Sequence, residues 1–509
     1  MTIRVDWRSS CSLTGTVLKW LAVPLAVPLV LALYDSTDPT PFLAAIVVTA
    51  AVGLVLEQLH DDPELGQRES FLMVALTWLA VAVVGAIPFF LVGLTSGGNS
   101  AFAGLINGPI NALFESTSGL TTTGATVMNG WDFDTQPRSI LLWRQLIQWL
   151  GGLGILIVAI GLLSHLMVGG AQLMETETQT QNVRKLKPHI GDTARLLWSL
   201  YVGITVLAAV IFYVLHLLGV APNMSLFNAV SHALTSVATA GFSPEADSVA
   251  AFSPIVQWAI VPFMIVGSTN FVLLYYLTQG EFERPLESEE LRFYLGTLVF
   301  FSAVVVAILV LDPDIEKGLE PTIRHGIFNV ASIVTTTGYA STDFSLWTPG
   351  AQHTLFLCMF LGGMAGSTTC SIKSLRWLVV LKAFRRNLFI SVHPQAVRPI
   401  RLGNSVVDED TVNDIFAYVM LAIVIFFGLT VFLVVDAARA GTFVTEFEAL
   451  GAAASIFLNI GPAFGMAGPM DNYAGFPASS RAVMIVMMWV GRIEIIPVLV
   501  LLTPAFWRS

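Results

Sequence analysis

Long apolar stretches separated by short polar ones run along almost the whole chain. Stretches close to the ~20 residues that cross a bilayer as a helix recur throughout. They cover residues 20–34, 42–56, 71–94, 141–163, 196–220, 255–277, 293–311, 354–364, 415–435 and 482–502. This pattern predicts a membrane protein that crosses the bilayer about ten times.

Four shorter segments, each ending in glycine, resemble one another. They read TTTG at 121–124, ATAG at 238–241, TTTG at 335–338 and LNIG at 458–461. A run of small and apolar residues precedes each segment, too short to span a bilayer but long enough for a helix that enters part-way. A polar loop follows, and then an apolar run with a glycine pair or its remnant. Such repetition predicts one structural unit used four times.

We therefore predict an all-α polytopic membrane protein with four pseudo-repeats around a central pore. Each repeat would contain a helix, a re-entrant pore helix, a filter loop and a second helix. An extra N-terminal helix pair would occupy residues 1–66, and the pore repeats would occupy 67–168, 190–280, 288–392 and 405–509. The third repeat would also contain an intramembrane gate loop.

The glycine segments predict a cation filter. Non-helical backbone inside a bilayer is tolerated only where it lines a cavity or is buried in protein, and glycine adopts the backbone angles that such a loop needs. Four loops around an axis can replace the hydration shell of a cation with carbonyl oxygens. One such segment alone would be read as a polar turn, but that interpretation does not explain four in the same setting.

We predict that the ion contacts each filter glycine and the two residues before it. Ala240 and Ile460 lack polar side chains, so backbone carbonyls would have to coordinate the ion, which suits potassium. The predicted filter residues are Thr122, Thr123, Gly124, Thr239, Ala240, Gly241, Thr336, Thr337, Gly338, Asn459, Ile460 and Gly461.

Composition and charge narrow the class further. Charged residues make up 12% of the chain, about half the usual share of a soluble domain. The net charge of −10 gives no indication of nucleic-acid binding. The three cysteines have no metal-site spacing. The sequence contains no H-E-x-x-H or G-x-S-x-G motif and no Walker motif, so we expect neither an enzyme nor an organic cofactor on this chain. A receptor or scaffold would not need four filters.

Lysine and arginine cluster in two connections, at 184–195 and 382–401. Because basic loops remain on the cytoplasmic side, we place these loops and both termini in the cytoplasm. The acidic segment 279–292 could then contact a cytosolic partner.

Several motifs are together similar to the Trk/Ktr/HKT potassium transporters, most closely to the Trk-type membrane subunit. They are SGLTTTGA at 118–125, TTTGY at 335–339, GGMAGST at 362–368 with IK at 372–373, NIGP at 459–462 and GRIE at 491–494. The resemblance implies potassium uptake across a bacterial inner membrane by a homodimer. It also implies a cytosolic nucleotide-binding ring subunit of the TrkA type that gates the pore. Residues 369–371, TCS, depart from the glycine-rich run usual there in the family.

Two basic residues are candidates for the pore. An arginine inside a span indicates a functional site, and the resemblance implies that Arg492 lies beneath the filter. The alternative is a structural ion pair with Glu494 or Glu115. Lys373 would pin a movable gate loop to an acid, or it is a lysine that snorkels to the inner face. The other predicted gate residues are Gly362, Gly363, Gly366, Ser367 and Thr368.

Acidic residues follow the filters on the predicted outer side. They are Asp132, Asp134, Glu245, Asp247, Asp343 and Asp471. Together they would form an outer vestibule that concentrates and steers cations. The alternative is that these acids serve only to keep the loops soluble. Glu115 and His232 lie nine residues before their filter glycines, and we expect them to hold the filters by hydrogen bonds. The alternative function is that of a sodium transporter or an unselective monovalent cation transporter. For each of these the ion flow could be channel-like or coupled to a second ion.

Overall fold

The computed structural model describes residues 5–60, 66–95, 108–128, 133, 136–163, 190–312, 318–403 and 405–508. Nearly all of its regular structure is helical. The helices are α1 (Trp7–Tyr34), α2 (Thr40–Glu57), α3 (Gln67–Gly85), α4 (Ile87–Thr95), α5 (Pro109–Leu120), α6 (Arg138–Leu163), α7 (Ile190–Leu217), α8 (Leu226–Val237), α9 (Pro254–Gly267), α10 (Phe271–Thr278), α11 (Glu283–Glu287), α12 (Glu289–Leu311), α13 (Leu319–Val334), α14 (Pro349–Cys358), α15 (Ser374–Val392), α16 (Glu409–Ala440), α17 (Glu446–Phe457), α18 (Ala478–Ile493), α19 (Ile495–Leu502) and α20 (Pro504–Arg508).

Several of these helices are long and apolar enough to cross a bilayer. Within the described part of the chain they are Trp7–Tyr34, Thr40–Glu57, Arg68–Val92, Ala194–Leu217, Glu289–Leu311 and Glu409–Ala440. They expose large apolar side chains on their outer faces, among them Val299 and Phe300 of α12 and Val424 of α16. Lipid is the solvent in which such surfaces are stable. The prediction of a mostly helical membrane protein with several spans is therefore confirmed.

The expectation of a purely helical fold is wrong in one detail. Strands β1 (Ile400–Leu402) and β2 (Ser405–Val407) form an antiparallel hairpin in which Ile400 pairs with Val407. The β-branched residues favour extended backbone, and Gly403, with φ 55°, forms the turn. The hairpin packs its apolar side against Val379 of α15 and Ile415 of α16.

Three predicted spans are interrupted. Helices α9 and α10 are bent by 106° relative to each other. Helix α14 ends at Cys358, and α15 begins only at Ser374. Helices α18 and α19 meet at Glu494, whose φ is 71°. Glycine and serine at the first two breaks let the backbone leave the helix, which apolar periodicity alone does not reveal.

Glycines bring the second long helix of a repeat onto the end of its short helix. A Cβ at Gly151 would lie 1.8 Å from the carbonyl oxygen of Leu120, the last residue of α5. Gly267 and Gly491 approach the carbonyls of Val237 and Phe457 in the same way, at 2.6 and 2.0 Å. Both carbonyls end short helices, α8 and α17. This backbone-to-backbone contact positions each loop that follows a short helix.

The N-terminal helices α1 and α2 pack through a similar contact. A Cβ at Gly15 would lie 2.6 Å from the carbonyl oxygen of Gly53, and one at Gly53 would lie 2.8 Å from that of Gly15. Lys19 and Glu57 form an ion pair at 2.6 Å beside this crossing. Small residues that allow close helix approach are typical of contacts inside membranes.

We predict that Gly151→Ala destabilises the protein by about 1–3 kcal/mol, because the added methyl group overlaps a helix-end carbonyl and α6 must move away. The measurement is thermal unfolding of purified protein in detergent. Gly203→Ala on α7 is the control, since a Cβ there meets nothing within 4 Å. An unchanged Tm for Gly151→Ala would contradict this account of the packing.

Candidate functional site

The short helices α5, α8, α13 and α17 lead into four loops with the same backbone pattern. Each loop has a glycine with positive φ: 78° at Gly124, 79° at Gly241, 81° at Gly338 and 107° at Gly461. Two residues earlier stands a residue with a side chain and positive φ: 53° at Thr122, 49° at Thr239, 52° at Thr336 and 55° at Asn459. Such angles are uncommon outside glycine. Strain kept at four equivalent places indicates a functional site.

This alternation directs the carbonyl groups of each loop to one side. Residues of alternating handedness turn successive N–H groups to one face of a strand and the carbonyls to the other. The N–H groups bond back to the short helices: Thr123 to the Ser118 carbonyl at 2.9 Å, Ala240 to Thr235 at 3.0 Å, Thr337 to Ser332 at 2.8 Å and Ile460 to Ser455 at 2.9 Å. The carbonyls therefore face away from the short helices.

The four loops contact one another in a closed cycle. A Cβ built on each glycine would meet the carbonyl oxygen of the residue before the glycine in the next loop. The contacts are Gly124 with Ala240 at 2.4 Å, Gly241 with Thr337 at 1.9 Å, Gly338 with Ile460 at 2.0 Å and Gly461 with Thr123 at 2.6 Å. The predicted filter residues of all four repeats thus come together as a ring, and no side chain larger than hydrogen fits at the glycines.

A buried ion pair supports the first loop from behind. Arg144 of α6 donates from Nε to Glu115 Oε1 at 2.7 Å, and both side chains are almost completely buried. Glu115 Oε2 accepts from the Val127 N–H at 3.1 Å, and Arg144 donates to the carbonyl of Ser243 at 3.1 Å. The pair therefore fixes the segments that leave the first and second filters.

Glu115 and His232 hold the filter exits, as their position before the glycines suggested. His232 lies within hydrogen-bond distance of the Asn228 carbonyl and of Ser243 Oγ, at 2.8 and 3.1 Å. Arg144, the partner of Glu115, was not among the predicted site residues. An arginine within an apolar stretch was the available signal.

The loop 359–373 lies against the opposite end of the ring. Thr368 Oγ1 shares a hydrogen bond of 2.9 Å with Thr239 Oγ1, the first predicted filter residue of the second segment. The Cys370 N–H donates to Thr336 Oγ1, in the third, at 3.1 Å. Below we call residues 359–373 the gate loop.

Glycine, serine and threonine allow the gate loop to adopt a tightly packed, non-helical backbone. A Cβ at Gly362 would lie 2.6 Å from the carbonyl of Cys370, and one at Gly363 would lie 2.0 Å from Ser268 Oγ. Gly366 has φ 75°. Ser367 Oγ donates to the carbonyl of Met364 at 2.6 Å within the loop. These bonds order the chain where no helix continues.

Arg492 bridges the gate loop and α6. Its Nη1 donates to the carbonyl of Thr368 at 2.9 Å and to Cys370 Sγ at 2.8 Å, and its Nη2 donates to the carbonyl of Gly151 at 2.9 Å. Among the described residues neither predicted acid pairs with it. Glu115 pairs with Arg144, and Glu494 pairs with Arg376 at 2.5 Å.

Lys373 turns back into the gate loop. Its Nζ donates to the carbonyl and to the hydroxyl of Thr369. Within the described residues Lys373 takes part in no ion pair shorter than 4 Å, so in this conformation its ammonium group is bonded to Thr369 and not to an acid.

The predicted vestibule acids fall into three groups. Glu245 and Asp471 line a cavity that all four filter glycines and Arg144 also line. Asp247 and Asp343 line a neighbouring cavity of about 510 Å³ with Arg324 and His325. Asp132 and Asp134 lie outside the described residues. Burial, and then the charge of Asp343, raise the pKa of Asp471 above the ordinary range for aspartate.

Comparisons with known proteins agree over nearly the full chain. The model of the TrkH family, described as cation transport protein, matches residues 40–509. The Trk system potassium uptake protein TrkH of Halomonas elongata is 32% identical, over 97% of this chain and 98% of that protein. TrkH of Escherichia coli K12 is 32% identical, over 99% and 100%.

A solved structure is similar as well. The crystal structure of the potassium transporter TrkH from Vibrio parahaemolyticus superposes with a TM-score of 0.85 and 29% sequence identity. The match covers 99% of this chain and 100% of that one.

We predict that Arg144→Met destabilises the protein by about 3–5 kcal/mol, because Glu115 is left as an uncompensated buried charge. Thermal unfolding in detergent measures the loss. The double variant Glu115→Gln/Arg144→Met should recover most of it, since no unpaired charge remains.

Arg284→Met is the control for this prediction, because it breaks an ion pair with Glu281 in which both side chains are about half exposed, and such a pair contributes less than about 1 kcal/mol. Equal Tm values for Arg144→Met and Arg284→Met would contradict the importance of the buried pair.

Proposed function

We propose that this chain, which belongs to the TrkH family of cation transport proteins, passes potassium through the ring of four loops. It is a Trk-type potassium uptake protein of the membrane and not an enzyme. The observation that carries this proposal is the closed cycle of glycine-to-carbonyl contacts. Potassium is the cargo and not a resident cofactor.

Carbonyl oxygens favour potassium as the ion. Two of the four segments, with Ala240 and Ile460, have an apolar side chain before the glycine, and all four present a carbonyl at that level. Rings of backbone carbonyls replace the hydration shell of potassium in selective pores. The C-terminal ends of α5, α8, α13 and α17, which carry partial negative charge, precede the ring and add to its attraction for a cation.

We propose the following organisation along the chain. An N-terminal helix pair occupies 1–66, and the four pore repeats occupy 67–168, 190–280, 288–392 and 405–509. The contacts of Gly151, Gly267 and Gly491 with their short helices support a common unit. The third repeat differs, because Gly362 contacts the gate loop instead.

The gate loop and Arg492 would form the barrier on the inner side of the filter. The loop bonds to the first residues of two filter segments, and Arg492 adds a positive charge there. A cation passing ~8 Å from that charge, at an effective dielectric of ~20, would meet about 2 kcal/mol of repulsion. Opening would require that Thr368 and Cys370 separate from the filter and from Arg492.

The family resemblance supports assembly as a homodimer in the bacterial inner membrane, with both termini in the cytoplasm and a cytosolic nucleotide-binding ring subunit. The basic residues of 382–401, on the last part of α15 and in the segment that reaches β1, support this orientation. On the same side Lys382 pairs with Glu289, and Glu290 Oε1 accepts from the Ala365 N–H in the gate loop at 2.7 Å. A partner that contacts 279–292 would therefore act close to the gate loop.

Tracer uptake tests the proposed function. Proteoliposomes that contain this chain alone should take up rubidium, and potassium should suppress the uptake while sodium does not. Equal suppression by sodium would favour an unselective cation transporter. If the chain alone gives no signal, the measurement is repeated with the ring subunit and nucleotide, and no uptake under those conditions would overturn the proposal.

We predict that Gly338→Ala reduces rubidium uptake to background, because its Cβ would lie 2.0 Å from the carbonyl oxygen of Ile460. Gly428→Ala on α16 is the control, since a Cβ there meets nothing within 4 Å. Size-exclusion chromatography checks that both variants assemble. Normal uptake by Gly338→Ala would contradict the filter assignment.

We predict that uptake falls as the outer solution is acidified, at a higher pH than an ordinary aspartate would give. The raised pKa of Asp471 means that its charge is present above this pKa and lost as the pH falls through it. One charge ~8 Å from the ion path in water contributes about 0.5 kcal/mol, or about twofold in entry rate. Uptake is measured as a function of outer pH at low potassium concentration.

Two variants separate Asp471 from Glu245 and Arg144, the other charged residues of that cavity. Asp471→Asn should remove this step of the pH profile. Asp343→Asn should move the step to lower pH, because Asp343 raises the pKa of Asp471. An unaltered profile in both variants would show that Asp471 does not steer the ion.

A further inference from the structure

Gln148 of α6 holds the second filter segment with both ends of its side-chain amide. Its Nε2 donates to the carbonyl of Ala240 at 2.6 Å. Its Oε1 accepts from the Phe242 N–H at 3.0 Å. These two residues flank Gly241, so one side chain from the first repeat spans the filter glycine of the second. The Gln148 side chain is completely buried.

The other repeats have no such side chain at this position. Gln148 stands three residues before Gly151, where α6 meets the end of its short helix. The residues three before Gly267, Gly362 and Gly491 are Met264, Met359 and Met488. All three methionines are fully buried. A thioether cannot donate a hydrogen bond. The pair of amide hydrogen bonds to a neighbouring filter segment is therefore specific to the first repeat.

The second segment, like the fourth with Leu458 and Ile460, lacks the pair of hydroxyl groups that supports the first and third segments from within their own repeats. In the first and third repeats, hydroxyl groups of Thr121 and Thr123, and of Thr335 and Thr337, share hydrogen bonds of 2.7 Å. The second repeat has Ala238 and Ala240 at these two positions. The filter backbone of this repeat therefore cannot be held by a threonine pair.

A second support is missing from the same repeat. Six residues before the glycine, Ser118, Ser332 and Ser455 each donate to a carbonyl at or after the glycine, at 2.5, 2.6 and 2.7 Å. The equivalent Thr235 donates to the Ser231 carbonyl and bonds to Tyr339 Oη instead. The amide of Gln148 takes over both functions.

We propose that Gln148 is a positioning residue that sets ion selectivity by fixing the Ala240 carbonyl in the ring. The inference rests on the proposed function, since it assigns a selectivity role within the same filter. A carbonyl oxygen has two lone pairs, so Ala240 can accept from Gln148 and still face the ion. The donor limits how far that carbonyl can move toward a smaller cation.

The physical consequence is a loss of discrimination when the amide is removed. Selectivity between potassium and sodium depends on the number, position and field strength of the carbonyls around the ion. Without Gln148 the Ala240 carbonyl can rotate and the Phe242 N–H loses its acceptor. The ring can then adapt to sodium, which a fixed ring cannot do.

The test compares Gln148→Met with Gln145→Met. Methionine is the residue that the other repeats carry at this position, so its volume suits the site. Gln145 lies three residues earlier on α6 and is equally buried, and within the described residues neither of its amide atoms has a hydrogen-bond partner. The matched variant therefore makes the same chemical change without touching a filter.

Rubidium uptake with potassium or sodium as competitor is the first readout. Gln148→Met should lower the preference for potassium over sodium by about tenfold, which corresponds to about 1.4 kcal/mol. Gln145→Met should keep the wild-type preference. An unchanged preference in Gln148→Met with normal uptake would overturn the inference and leave the proposed function intact. An equal loss in Gln145→Met would overturn it too.

A second readout does not depend on transport. Bound ions stabilise the folded state, so the Tm of wild-type protein in detergent should be higher in KCl than in NaCl. Gln148→Met should reduce this difference, whereas a merely structural role would lower both Tm values equally. If Gln148→Met does not assemble, Gln148→Leu replaces it, because leucine offers Ala240 no donor and Phe242 no acceptor and adds no charge. A wild-type protein with no potassium preference would instead overturn the proposed function.

Discussion

The need to place unpaired carbonyl groups inside an apolar environment governs the rest of this structure. A helix satisfies its own carbonyls, but a loop in the bilayer cannot, and each unsatisfied group costs several kcal/mol. Here the carbonyls of four loops face one another across contacts that leave no room for a side chain at Gly124, Gly241, Gly338 or Gly461. In the proposed function a cation in the ring would satisfy these carbonyls, so folding and ion binding would depend on the same atoms.

The four loops of the ring are held by three different kinds of contact. Threonine pairs hold the first and third strands, an amide from a neighbouring helix holds the second, and Tyr473 Oη donates to the Gly461 carbonyl of the fourth at 2.8 Å. The backbone angles nevertheless agree closely among the first three glycines. The similar geometry is therefore a property of the backbone. Different supporting side chains can hold the loops in the same backbone conformation.

The sequence predicted the parts of this fold that have a pattern. The four glycine segments were recognisable because glycine after a short apolar run recurs, and in the structure each segment begins where α5, α8, α13 or α17 ends. The partners of Arg492 could not be predicted, because they are backbone carbonyls of Thr368 and Gly151 that sequence patterns do not bring together. The breaks in α9/α10 and α18/α19 were missed for a related reason, since apolar composition is the same in a straight and a bent span.

All four walls of the ring belong to one polypeptide. In an assembly of four identical chains, one amino-acid substitution changes all four loops of the ring at once. Here a substitution changes one loop and leaves the other three as they were. The residue before the ring glycine already differs among the four loops: it is Thr123, Ala240, Thr337 or Ile460. Each of the four loops can therefore change its sequence independently of the other three.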